Sequence, residues 1–144
     1  MIKGECLCGE VQFEILAALP NLYQCHCSLC RKATGAAANA ATFASRENFR
    51  WTSGHARVKS FSKSTGYRSD FCSVCGSPVP NSLGDTQLMW IPAGLLPDEF
   101  TAEIAVHLHL ASSAPWEREA ASCLRLDAGP DSLSALSEAL KPGT

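Results

Sequence analysis

Seven cysteines in three tight groups constrain this 144-residue chain more than any other feature. The groups are Cys6-Leu7-Cys8-Gly9, then Cys25-His26-Cys27-Ser28-Leu29-Cys30, then Cys72-Ser73-Val74-Cys75-Gly76. No apolar run follows Lys3, so neither a secretory signal nor a membrane span is expected, and the expected location is cytoplasmic. In a reducing compartment, clustered thiols point to metal ligation rather than to a disulfide framework.

The groups differ in the residue that comes directly after each. Glycine behind the second cysteine of a pair lets the backbone turn through positive φ, so that amide N–H groups can face the sulfurs. Cys8 and Cys75 have that glycine, whereas Cys30 is followed by Arg31. Pairing the glycine-tailed ends gives Cys6, Cys8, Cys72 and Cys75 as a closed, structural four-thiolate zinc set. Cys25, Cys27 and Cys30 remain as three ligands with a vacant fourth position, the arrangement of a reactive zinc. His26 is a weak fourth ligand, because in extended chain it points opposite to Cys25 and Cys27. The expected cofactor is therefore zinc, two per chain. An iron–sulfur centre is the metal rival, but the triplet lacks the fourth cluster ligand. A thioredoxin-like role for Cys72 and Cys75 lacks the βαβ surroundings that such a motif needs.

Other candidates are weighed against plainer roles. Cys123 stands alone among apolar residues and reads as a small buried hydrophobe. His107 and His109 alternate with Val106, Leu108 and Leu110, which fits a partly buried hydrogen-bonded pair or one histidine lining the open metal pocket. Residues 31–68 hold eight of the twelve Lys and Arg against one acid, Glu47. That stretch is either a solvated face or a basic rim that steers an anionic small molecule. The net charge of -2 describes an ordinary globular protein rather than a nucleic-acid arm, so nucleic acid is not an expected partner.

Periodicity predicts a mainly β chain with little helix. Val11, Phe13 and Ile15 alternate with Glu10, Gln12 and Glu14 over 9–15, giving one buried and one wet face. Further strands are expected over 22–25, 38–43, 49–52, 56–62, 67–72, 87–91 and 103–110, with turns at Ser53-Gly54, Ser64-Thr65-Gly66 and Leu83-Gly84-Asp85. A short helical turn is expected after Cys30. Asp131 is the expected cap of an amphipathic helix carrying Leu133, Leu136 and Leu140. With no linker or repeat in the sequence, the expectation is one domain over 1–144, with a core over about 2–116 and a C-terminal strand and helix within 117–140.

The ordered series Gly4-Glu5-Cys6-Leu7-Cys8-Gly9-Glu10-Val11, Cys25-His26-Cys27 through Cys30-Arg31-Lys32 to Thr34-Gly35, Trp51-Thr52-Ser53-Gly54, Phe71-Cys72 to Cys75-Gly76-Ser77-Pro78, and His107 with Ala114-Pro115-Trp116 resembles the glutathione-dependent formaldehyde-activating enzyme (GFA, CENP-V/GFA domain) family. The resemblance implies an Mss4-like, zinc-stapled β-sheet domain. It also implies that the outer cysteine pairs hold a structural zinc while the central triplet holds a second. The implied chemistry is that of a carbon–sulfur lyase or synthase, joining formaldehyde to the glutathione thiol and reversing that addition. One departure bears on the substrate: the arginine usual three residues before the third cluster is Ser69 here, with Arg68 one place earlier.

The expected partners are glutathione or another small thiol and a small carbonyl compound. Arg31 and Lys32 would offset the site's negative charge or hold a substrate carboxylate. Cys25, Cys27, Cys30, Arg31 and His107 are the candidate catalytic residues. The alternative is a non-catalytic zinc-stabilised module that binds a protein or peptide.

Overall fold

Val11, Phe13 and Ile15 are fully buried, and their strand pairs on both sides to build the first of three small sheets. The computed structural model describes residues 1–142, of which Met1–Ala114 form one unit and the residues from Pro115 onward a second. In the first unit, β1 (Ile2–Glu5), β2 (Gln12–Ile15) and β5 (Phe49–Ser53) make a three-stranded antiparallel sheet in the order β1-β2-β5. The second sheet has β3 (Leu22–Cys25), β4 (Asn39–Ser45), β8 (Asn81–Ser82), β9 (Leu88–Pro92) and β10 (Ile104–Leu108), in the order β10-β3-β4-β9-β8. Its pairings are antiparallel apart from β10, which runs parallel to β3. A ribbon of β6 (Val58–Ser62) and β7 (Arg68–Cys72) completes the unit. The architecture is mainly β, as expected.

The core has two clusters. Phe13 and Ile15 from the first sheet meet Ala44, Met89 and Ile91 from the second, with Phe49 stacked on Phe13 at 5.6 Å between ring centroids. Burying such side chains stabilises by roughly 1.5–3 kcal/mol each relative to leaving them exposed. Cys6, Val11, Cys72 and Val79 form the other cluster, so two of the thiols lie inside the core.

Several expectations are corrected. Glu14 does not face water: it is buried and ion-pairs with Arg50 on β5, which leaves its carboxylate compensated. The helix α1 (Ser28–Thr34) begins ahead of Cys30, with Cys27 as its N-cap, and ends where Gly35 takes a left-handed conformation. The second helix, α2 (Leu133–Ala139), is capped by Ser132, whose side chain accepts from the Ala135 N–H, and not by Asp131. Between 117 and 132 the described residues form turns and bends without a strand. Cys123 is exposed, not buried.

Gly54 holds the tightest approach in the first sheet. Its φ is +68°, and a Cβ there would sit 2.0 Å from the Glu10 carbonyl oxygen. Gly54→Ala combines a left-handed penalty with a collision against backbone that cannot rotate away. Denaturant melts should record a loss of about 3 kcal/mol, against a few tenths for Gly129→Ala, where nothing lies within 4 Å.

Candidate metal centre

The four cysteines at the outer ends of the motif come together. Cys6 follows β1, Cys72 ends β7, and the Sγ atoms of Cys6, Cys8, Cys72 and Cys75 lie within 4.8 Å of one another. Cys6 and Cys8 are 3.5 Å apart at sulfur, and Cys8 and Cys72 are 3.9 Å apart. A metal held tetrahedrally by four thiolates at about 2.3 Å sets its sulfurs about 3.8 Å apart, so the four can hold a metal ion with little movement.

The glycine tails behave alike: Gly9 (φ 78°) donates its N–H to the Cys6 carbonyl and Gly76 (φ 79°) to that of Cys72. These tight turns bring amides toward sulfur, and the Val11 N–H donates to Cys6 Sγ at 3.3 Å. Ser77 links the two halves, accepting from the Leu7 N–H at 3.0 Å and lying 3.4 Å from Cys75 Sγ.

The electrostatics of this set are uneven. Hydrogen bonds from the Ser77 hydroxyl and N–H pull the Cys75 thiol down to about 5. The Glu10 N–H also pulls on Cys8, but desolvation and the thiols of Cys6, Cys75 and Cys72 outweigh it and push Cys8 up to about 12. Four sulfurs this close cannot all ionise without a counter-charge, and a bound metal supplies it.

The triplet forms a second set. Cys25 ends β3, Cys27 caps α1, Cys30 sits in its first turn, and the three Sγ atoms also lie within 4.8 Å of one another. Burial pushes the Cys27 thiol up, yet hydrogen bonds from the Cys30 N–H, the neighbouring thiols and the Leu29 N–H hold it below its ordinary value. Cys30 moves the other way, raised by burial and by the negative charge of Cys27 and Cys25. This set can hold a metal ion through three protein ligands. His26 is not part of it, because the buried imidazole turns away and its Nε2 lies 3.0 Å from Nδ1 of His107.

A cavity of about 280 Å³ opens beside Cys25 and Cys30. Tyr23, Asn39, Tyr67, Arg68, Asn81 and Trp90 are among its walls. Trp90 donates its indole N–H to the Tyr23 hydroxyl at 2.8 Å. Burial, with the charge of the nearby thiols, raises both Tyr23 and Tyr67 above the usual phenol value, so both stay protonated.

The predicted residues divide. The seven clustered cysteines assemble as two sets, while Arg31 and His107 are absent from the lining of this cavity. Arg31 lies on α1 with a buried Nε that has no hydrogen-bond partner among the described residues, and His107 is on the exposed edge strand. Sequence reasoning overlooked Tyr23, Tyr67, Asn39, Asn81 and Trp90, which carry no spacing signature. A tyrosine two residues before Cys25 on a strand shares its face, and that offset was the available clue. Arg68 lines the cavity but spends its charge on buried Asp70 through two hydrogen bonds of 2.8 and 2.7 Å.

The model of the family described as "Glutathione-dependent formaldehyde-activating enzyme" (GFA) matches residues 1–112. The chain belongs to the GFA family. A crystal structure of a Rhodobacter sphaeroides protein, a Northeast Structural Genomics target, is similar with a TM-score of 0.58 and 20% identity, covering 73% of this chain and 98% of that one; the likeness is one of fold. No curated protein matches.

The two thiol sets should differ when disrupted. Cys72→Ser removes a fully buried core sulfur and opens a cross-link between residues 64 positions apart. Metal binding contributes about 10 kcal/mol or more of folding free energy in small zinc modules, so soluble, folded protein should be lost. Cys27→Ser puts a better N-cap on α1 and closes no long loop. Circular-dichroism melts and metal counts should find that variant folded, with the first metal kept and the second gone.

Proposed function

We propose that the chain holds two zinc ions, a closed one at Cys6, Cys8, Cys72 and Cys75 and an open one at Cys25, Cys27 and Cys30, and that the open site is a carbon–sulfur lyase or synthase centre. The observation that carries this reading is a set of three converging thiols, with no fourth ligand among the described residues, of which Cys25 and Cys30 stand on the wall of a cavity. Zinc bound there would supply a vacant position that takes up an external thiol as its thiolate. Three thiolate ligands make the metal a weak acidifier of water, which favours sulfur chemistry over hydrolysis.

The reaction joins glutathione or another small thiol to formaldehyde or another small carbonyl compound. A sulfur–carbon bond forms, the carbonyl π electrons move to oxygen, and the proton lost by the thiol ends on that oxygen. The protonated phenols of Tyr67 and Tyr23 line the cavity and suit donation to the oxygen as charge develops on it. Asn39 and Asn81 add neutral amide partners without a competing charge. Among the described residues no helix is long and apolar enough to cross a membrane, and all eight cysteines are free, which supports action in a reducing, cytoplasmic setting.

Cobalt replacing zinc makes the open site visible. Titration with glutathione or 2-mercaptoethanol should change the cobalt–thiolate spectrum, and Cys27→Ser should abolish that change. A spectrum indifferent to thiols would favour a closed site and a non-catalytic, partner-binding module. Tyr67→Phe should lower kcat/KM for hemithioacetal formation by about tenfold or more while leaving the thiol titration intact.

A further inference from the structure

The β6–β7 ribbon sorts its side chains by the period of two. Phe61 faces Ser69 and Lys59 faces Phe71 across the ladder, so Phe61, Lys63, Tyr67 and Phe71 share one face, while Arg68, Asp70 and Cys72 share the other. The second face is absorbed by the Arg68–Asp70 pair and the Cys72 thiol set. The first is only partly covered: Phe61 is 57% exposed, while Tyr67 and Phe71 are half-buried. Across from it, Leu29 and Lys32 of α1 form the opposite wall of a groove of about 300 Å³.

Two features tie this groove to the proposed metal cavity. Ala33, Tyr67 and Ser69 line both, so one side chain, Tyr67, belongs at once to the groove and to the space beside Cys25 and Cys30. The electrostatics also match. Neither cavity has an acid among its lining residues, whereas the larger depression near Lys3 is lined by Glu5, Glu14 and Asp98. Lys32 and Lys63 form no ion pair among the described residues, while the nearby Arg68 is already neutralised by Asp70. The groove therefore carries two lysine charges with no acid among its lining residues to offset them.

Resting on the open zinc site as a carbon–sulfur centre, we propose that its substrate is a small amphiphilic carboxylate. An aryl or alkyl body lies between Leu29, Phe61 and Phe71, the carboxylate meets Lys32 and Lys63, and the thiol or carbonyl end passes Tyr67 toward Cys25 and Cys30. A polar tripeptide thiol would leave Phe61 wet; an apolar carboxylate satisfies both the ring and the lysines.

The test uses the zinc-loaded full chain, followed by amide NMR shifts during titration with 3-phenylpropanoate, 3-phenylpropan-1-ol and acetate. The phenyl carboxylate should shift the amides of Leu29, Phe61, Lys63 and Phe71 saturably, and the alcohol and acetate should bind about tenfold more weakly or worse. Replacing Lys32 and Lys63 together by alanine should bring the two phenyl compounds within about twofold of each other, while Phe61→Ala should weaken both. The inference is overturned if the alcohol binds as well as the acid, if the shifts fall outside the groove, or if the lysine replacements change nothing. It is also overturned if translational diffusion reveals a second copy of the chain covering Phe61 and excluding the probe. Cobalt titration with thiols separates the two readings. A responsive cobalt site with an empty groove sinks the substrate class alone, and a filled groove beside an unresponsive cobalt site sinks the lyase reading while keeping the anion site.

Discussion

The union of Cys6 and Cys8 with Cys72 and Cys75 governs the rest of the structure. The first pair lies between β1 and β2, while the second lies at the end of the β6–β7 ribbon. A two-stranded ribbon is marginal by itself in water, and this one buries little on its outer face. Its end is fixed because Cys72 sits in the core with Cys6, Val11 and Val79. Once that end is fixed, the turn at Gly66 and the side chains of Tyr67 and Arg68 are carried to the triplet. The four-thiol set thus determines where one wall of the cavity beside the triplet stands.

Charge organises the cavity beside the triplet. The thiols of Cys25 and Cys30 stand on one wall, and Asp70 withdraws the charge of Arg68 on another. The tyrosines are left as neutral donors in a partly dry cavity, where a hydrogen bond is worth more than in water. Buried Glu14, compensated by Arg50, plays no part there and serves the first sheet.

How much was legible in the sequence depends on the range of each interaction. Cysteine spacing and the glycines after Cys8 and Cys75 are local, and both sets assembled as their spacing suggested. Period-two alternation located most strands but missed β1, and the two residues of β8 were too few to carry a pattern. Glu14 was misread because alternation cannot see an arginine on another strand turning a wet face into a buried pair. The first helix was expected only after Cys30, because its N-cap is a cysteine: the Cys27 thiol accepts the Cys30 N–H, a role more often held by serine or aspartate. Arg31 and His107 failed to reach the cavity because nearness in sequence or on a strand does not fix which side a chain presents. Asn39, Asn81 and Trp90 come from strands β4, β8 and β9 and meet only through sheet order.

The parallel strand β10 has a kinetic meaning. It pairs with β3 across roughly eighty residues of chain, and its side chains are exposed along its whole length. Closing so long a loop is costly and little apolar surface is buried in return, so such a strand docks late and is among the first to detach in native-state fluctuations. Leu108 on this strand lines the cavity beside Cys25, and His107 holds the imidazole of His26. Detachment would unroof one side of that cavity without disturbing the thiol cross-link. Amide exchange along β10 therefore tracks a breathing motion that admits solvent to the triplet while the remainder of the first unit stays folded.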